Sequence, residues 1–296
     1  MSSDDRSSHS ITVVKIGGSV LTDTAAYERV ARFLRSRVRG AERPRIVAVV
    51  SAQHGHTDDL LGAAQSIVRR PNPVMLDLLW STGELRSVAL LVFHLHALGV
   101  RATGLNVQQA GLRAVRESGA QRDGVQVDPW RLTRALEKFL VVVVPGFLAT
   151  RRSGSIVSLG RGGSDLSAVL LATALNAERC ELIKDVPGYF DVDPSAHAAA
   201  RQLPQVSYER ALEMARAGCE LVQPAALEAA ARAGLHLVIR SLDESAQRTE
   251  IRACQPKSAA ALFADEGNRE PQSIPISVVT QDSTNELPIP MERTCS

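Results

Sequence analysis

Val13-Val14-Lys15-Ile16-Gly17-Gly18-Ser19 ends a β-branched run, Ile11 to Ile16, on a pair of glycines. Such a run reads as a buried strand. Glycines at its end let the backbone approach a ligand closely, and N–H groups at a strand-to-helix junction bind anions. Lys15 adds a mobile point charge suited to phosphoryl oxygens. Taken alone, a Gly-Gly turn after a strand more often serves structure than function.

Outward from this stretch, β-branched runs alternate with helical ones. Ala25 to Val38 predicts a helix, Ile46 to Val50 a strand, and Thr57 to Arg69 a second helix. Leu76 to Leu98 reads as a long helical region broken at Ser81-Thr82-Gly83. Arg101 to Leu105 and Val141 to Pro145 read as strands around a helix near Pro129 to Phe139. Asp165 to Leu175 predicts a helix and Cys180 to Ile183 a strand. Strands separated by helices of about 10 to 15 residues imply right-handed crossovers and a mainly parallel sheet covered on both faces. The expected fold is α/β.

The 296 residues are 45% hydrophobic, enough for a large core, and 34 basic against 32 acidic residues leave a net charge of +2. Near balance argues against a nucleic-acid or anionic-membrane footprint. The lysines are Lys15, Lys138, Lys184 and Lys257, and all other basic residues are arginines, so a lysine in a suggestive place carries information. Cys180, Cys219, Cys254 and Cys295 form no CxxC pair, which suits a reduced, cytoplasmic setting. No run approaches the roughly 20 apolar residues of a membrane span. Met1 to Ser10 reads as a flexible N-terminus, and 254–296 as a polar tail with one strand expected at Ile274 to Val279.

Four further segments carry candidate chemistry. In Leu159-Gly160-Arg161-Gly162-Gly163-Ser164-Asp165, Ser164 or Asp165 could cap the following helix. Capping does not require an arginine among three glycines, whereas a guanidinium fork suits a carboxylate and the glycines clear room for it. Asp165 could organise a phosphate site or its lysine. Glu84 in Ser81-Thr82-Gly83-Glu84 faces either solvent or a substrate ammonium group. Ser51-Ala52-Gln53-His54-Gly55-His56-Thr57 follows a strand, where open α/β sheets bind ligands, and its histidines lack a partner with metal-site spacing. Lys184-Asp185-Val186-Pro187-Gly188-Tyr189-Phe190-Asp191-Val192-Asp193-Pro194 suits a nucleotide-contacting loop or an ordinary connection. No GxxxxGK[ST] signature occurs, which excludes a Walker-type site at motif level.

In this order and spacing, with Gln109-Ala110-Gly111, Val206-Ser207-Tyr208 and Leu237 to Ser241, these segments resemble the catalytic domain of aspartate kinase, within the amino acid kinase superfamily. The resemblance covers about residues 11 to 252 and places a catalytic domain at 11–253. It implies a three-layer αβα sandwich, MgATP as phosphoryl donor, and transfer to the side-chain carboxylate of an amino acid, aspartate first. It implies Lys15 at the transferring phosphoryl group, Asp165 orienting that lysine, and Gly17, Gly18 and Ser19 donating hydrogen bonds. Arg161 would clamp the substrate α-carboxylate, Glu84 would receive its ammonium group, and Ser51, Thr57 and Ser164 would line the pocket. Gly162, Gly163, Lys184, Asp185, Tyr189 and Asp193 would border the nucleotide. No protein-held metal is implied, and a cytoplasmic homodimer packed through sheet-flanking helices is.

The chain also departs from the family pattern. Glu220-Leu221-Val222-Gln223-Pro224 stands where a Lys-Val-Leu-His-Pro stretch is usual, and Lys184 stands where threonine is general. Lys184 is read as restoring the charge lost at Glu220. Pro187 replaces an aspartate. The regulatory ACT domains are expected to be absent, which suits an unregulated enzyme of a specialised pathway. A pseudo-kinase or partner subunit of another kinase is the alternative.

Overall fold

The computed structural model describes residues 10–116, 123–160, 162–197 and 199–252. The tail at 254–296, with the strand expected at Ile274 to Val279, lies outside the described residues, as do residues 1–9 and Arg161. In chain order the main sheet uses β1 (Ile11–Ile16), β2 (Arg45–Val50), β3 (Ala102–Gly104), β6 (Val141–Pro145) and β9 (Arg179–Ile183). It is completed by β10 (Gln205–Ser207), β11 (Leu237–Arg240) and β12 (Thr249–Arg252). A second, smaller sheet contains β4 (Leu112–Arg116), β5 (Asp123–Val127), β7 (Leu148–Thr150) and β8 (Ile156–Ser158). The eight-stranded order is β10-β12-β11-β9-β1-β2-β6-β3. Neighbours run parallel except β11 with β12.

Alternation along the strands explains why both faces are covered. Val13, Val47, Val49, Val142, Val144 and Leu182 point into one core, packed by α6 (Gly163–Ala174) and α8 (Pro224–Ala233). Val14, Ile16, Ile46, Ala48, Val141 and Val143 point into the other, packed by α1 (Thr24–Arg39) and α3 (Pro73–Ala97). The remaining helices are α2 (His56–Ile67), α4 (Val107–Ala110), α5 (Trp130–Lys138) and α7 (Tyr208–Arg216). The result is the expected three-layer αβα sandwich on a mainly parallel sheet.

Two local expectations need correction. The helix over Leu76 to Leu98 is not broken at Ser81-Thr82-Gly83; α3 runs through it. Ser81 and Thr82 donate their hydroxyls to Leu78 O and Leu79 O within the same helix. Gly83 is there for close packing: a Cβ on it would lie 3.0 Å from His56 Cδ2 and 3.2 Å from Ala52 Cβ. The second sheet was not foreseen, because its strands are only three to five residues long.

Glu181 on β9 faces α1 and is 1% exposed. Its carboxylate meets Arg37 at 2.5 Å, Arg179 at 2.9 Å and Arg240 at 3.8 Å. Burial works against the Arg240 charge and Glu181 supports it. Removing one partner of a buried charge network strands the others. Glu181→Ala is therefore expected to lower stability by about 3–5 kcal/mol in a denaturant titration. A loss below about 1 kcal/mol would mean that solvent, not Glu181, neutralises these arginines.

Candidate active site

Lys15 is the penultimate residue of β1, and β1 pairs with β9 so that Lys15 lies opposite Leu182. Two residues past Leu182, Lys184 follows the strand, its N–H still donating to Arg240 O at 2.9 Å. Side chains two apart on a strand share a face, so both lysines project toward α6. The first turn of α6 supplies Asp165, whose carboxylate joins them: Lys15 Nζ is 2.7 Å from Oδ1 and Lys184 Nζ 2.9 Å from Oδ2. Asp165 is 3% exposed and Lys15 6%. Burial opposes ionisation of Asp165, but Lys15 and Lys184 outweigh it and hold the carboxyl below its ordinary value. Burial pushes the Lys184 pKa down, and Lys15 pushes the same way against the pull of Asp165.

Around this cluster the backbone comes close. A Cβ on Gly17 would lie 3.2 Å from Lys15 Nζ, and one on Gly18 3.1 Å from Ala52 O. The glycine pair is thus needed for space. Ser19 donates its hydroxyl to Asp185 at 3.1 Å, linking the loop after β1 to the loop after β9. Ser51, just past β2, donates its N–H to Ile16 O and its hydroxyl to Ser164 at 3.0 Å. The carboxyl ends of β1, β2 and β9 therefore converge on the start of α6, the usual ligand side of an open α/β sheet.

Glu84 resolves in favour of the interior. It sits inside α3 at 4% exposure, and its Oε2 has no hydrogen-bond partner. Burial raises its pKa well above the ordinary glutamate value, with Lys15 and the Ala52 N–H pulling weakly the other way. A buried carboxylate oxygen without a donor is costly, and a ligand ammonium would satisfy it.

The structure thus brings together Lys15, Gly17, Gly18, Ser19, Ser51, Glu84, Ser164, Asp165, Lys184 and Asp185. Thr57 is half-buried in the first turn of α2, its carbonyl accepting from Trp80 Nε1 at 3.2 Å. Neither Ser164 nor Asp165 caps α6; Gly162 holds that position at φ +75° without a side-chain cap. A Cβ on Gly162 would clash with Gln223 Cγ at 2.0 Å, so the start of α8 lies directly on this loop. Tyr189 is buried in the core, its N–H donating to Thr249 Oγ1 at 2.9 Å. Asp193 is exposed and accepts from Ser195 in its own turn. The Pro187 carbonyl accepts from Gln202 Nε2 at 3.0 Å, and Glu220 is exposed.

One residue not singled out from the sequence also lies here. Phe147, at φ +66° just past β6, meets Trp80 of α3 edge-on with ring centroids 5.9 Å apart. A non-glycine residue at positive φ, lying against Gly163, marks a position the surroundings over-determine. Its signal in the sequence was the Pro145-Gly146-Phe147 turn after a valine strand. Among the described residues, no three His, Cys, Asp or Glu side chains are grouped to hold a metal ion.

A profile of the amino acid kinase family matches residues 10–241. The aspartokinase of Geobacillus stearothermophilus is 36% identical over 242 residues, covering 82% of this chain and 59% of that protein. The aspartokinase of Thermus thermophilus is 39% identical over 232 residues, covering 78% of this chain and 56% of that protein. The chain thus spans little more than half the length of these relatives. Among solved structures, aspartate kinase from Synechocystis superposes at TM-score 0.73 with 32% identity, covering 84% of this chain and 41% of that one. Aspartokinase III of E. coli, solved with aspartate and ADP, superposes at 0.70 with 27% identity, covering 83% of this chain and 65% of that one.

The Asp165 shift fixes a pH dependence. Its folded pKa lies below its unfolded one, so the stability it contributes is present above the ordinary aspartate range and is lost as pH falls through the lowered value. Denaturant midpoints of the wild type should hold down to about pH 4 and then fall. Asp165→Asn should be less stable near neutrality, where two ammonium groups face each other unscreened, and should show a smaller acid loss. An identical acid limb in both proteins would remove Asp165 from this role.

Proposed function

This chain belongs to the amino acid kinase family, and from that premise we propose that it transfers the γ-phosphoryl group of MgATP to the side-chain carboxylate of an amino acid, L-aspartate giving 4-phospho-L-aspartate. The observation that carries the reading is the Lys15–Asp165–Lys184 cluster beside the glycine pair, with buried Glu84, one oxygen of which has no hydrogen-bond partner, coupled to Lys15. It combines an excess of positive charge for a polyanion with an acceptor for an amino group. The ADP and aspartate held by E. coli aspartokinase III have these two chemistries.

MgATP, when bound, supplies the γ-phosphoryl group, its magnesium carried in on the phosphates, as this ion commonly is. Lys15 neutralises charge on the transferring group, and Asp165 keeps its ammonium aimed there. Gly17, Gly18 and Ser19 offer hydrogen bonds to phosphate oxygens, while Gly162, Gly163 and Asp185 border the nucleotide; Tyr189, filling the core, and Asp193, held in its own exposed turn, are left out of that border. Glu84 takes the substrate ammonium group, Arg161 its α-carboxylate, and Ser51, Thr57 and Ser164 line the pocket. The side-chain carboxylate oxygen bonds to the γ-phosphorus as the bond to the bridging oxygen breaks, and that electron pair leaves with ADP. No proton is transferred, so the protein's work is positioning and charge neutralisation. Lys184 beside Asp165 speaks against the pseudo-kinase reading, since a second cation stands at the site whatever Glu220 does. We place the enzyme in the cytoplasm, the setting that four cysteines without a CxxC pair suit, as a homodimer. Met75, Leu78 and Phe93 stand exposed on α3 and suit a second copy.

Incubation with ATP, hydroxylamine and a panel of amino acids should yield hydroxamate with aspartate above all others. Absence of hydroxamate with every amino acid defeats the proposal. Lys15→Ala should abolish turnover and leave the fold intact. Retention of more than about a tenth of the rate, a loss of only ~1.4 kcal/mol, removes Lys15 from its role.

Glu84 adds a pH signature. Because its pKa is raised in the free protein, an incoming ammonium group must drive a proton off it. The KM for the amino acid should fall as pH rises above the ordinary glutamate range, levelling once Glu84 is ionised. In Glu84→Gln the KM should be raised and that slope lost; a slope equal to the wild type's assigns it to another group.

A further inference from the structure

We infer that Lys184 is itself a catalytic residue, closing with Lys15 a two-ammonium seat for the oxygens of the phosphoryl group in flight. This rests on the kinase reading and goes beyond a residue that merely borders the nucleotide. Three observations carry it.

The first is register. Lys15 lies opposite Leu182, so Lys184 is its diagonal neighbour on the same face of the sheet, at the end where the glycine pair opens. The second is the charge count. One carboxylate, Asp165, serves two ammonium groups, one on each oxygen, at 2.7 and 2.9 Å. The cluster is buried and keeps one positive charge in excess. Asp185, the next carboxylate along, is exposed and accepts from Ser19. Glu84, the other carboxylate coupled to Lys15, has its ionisation suppressed by burial. The third is cost. Burial and Lys15 both work against the Lys184 charge. A structural tie for Asp165 needs only one lysine, and the second, like-charged one is destabilising unless an anion joins it.

A γ-phosphoryl group is such an anion. As the carboxylate oxygen bonds to phosphorus and the bridging oxygen departs with its electron pair, negative charge is spread over the three equatorial oxygens and the leaving oxygen. Lys15 reaches this charge from β1 and Lys184 from the loop after β9. Asp165, held by α6, keeps both aimed without cancelling them. Lys184 then stabilises the transition state more than it does bound ADP or the amino acid.

The test uses the full chain and has two arms. In the kinetic arm, Lys184→Met should lower kcat by about 100-fold or more while the KM for aspartate stays within about threefold. Lys184→Arg, which keeps the charge, should recover part of the loss. In the binding arm, thermal unfolding is followed with MgATP and with MgADP. The wild type should gain more protection from ATP than from ADP, and Lys184→Met should lose that difference. Lys184→Thr serves in both arms if the methionine variant does not fold. A kcat within about tenfold of wild type, or an undiminished preference for ATP over ADP, overturns the inference and leaves the kinase reading standing. Conversely, if the wild type phosphorylates no amino acid, the kinase reading falls, and the binding arm still reports whether Lys184 meets the γ-phosphate.

Discussion

One carboxylate shared by two ammonium groups is the constraint around which the rest of the molecule is arranged. Asp165 reaches Lys15 and Lys184 only because β1 and β9 are adjacent and parallel and because α6 begins directly over their ends. A slip of one residue in either strand would send its lysine to the opposite face. The valine and isoleucine pattern that fixes register therefore also fixes the site. Packing precision in the sheet becomes electrostatic precision in the cleft.

The two faces of β9 use buried charge to opposite ends. On the α1 side, Glu181 is surrounded by Arg37, Arg179 and Arg240, with Glu42 beyond Arg179, so positive and negative groups interleave. This network binds helix to sheet. On the α6 side the count is left unbalanced, with more ammonium than carboxylate at the end where the backbone opens. Buried imbalance is unfavourable in the free protein and becomes favourable when an anion arrives. Glu84 differs: burial holds its carboxyl back from ionising, and an arriving ammonium group would draw the proton off. Proteins commonly keep such local costs at the places where they bind.

The helix α3 shows how a site can be hidden from one-dimensional reading. Ser81, Thr82 and Gly83 look like a break, because in isolation each favours leaving the helix. In the folded protein the serine and threonine hydroxyls bond back to their own turn, and the glycine lets α3 lie against the loop carrying Ala52 and His56. That contact carries Glu84 inward toward Lys15. Propensity was overruled by packing.

Much was legible in the residues themselves. Alternating β-branched runs and helical stretches gave the α/β class and most main-sheet strands, because burial on both faces leaves an apolar signature in the chain. Lys15 with its glycines and the Leu159–Asp165 segment offered groups suited to anions, and they resembled a kinase site only when taken in order with the other segments. The short strands of the second sheet left no such mark, since three to five residues do not establish a period. Nor could any string of letters say whether Glu84 is wet or dry, whether Tyr189 borders a ligand or fills the core, or which lysine meets Asp165. Those outcomes are set by residues far apart in sequence: Lys15 and Lys184 are joined through an aspartate 19 positions before the second of them. Local sequence determines which elements form and what chemistry they carry. Only their packing decides which charges are brought within 3 Å of one another, because burial and distance are properties of the assembled fold.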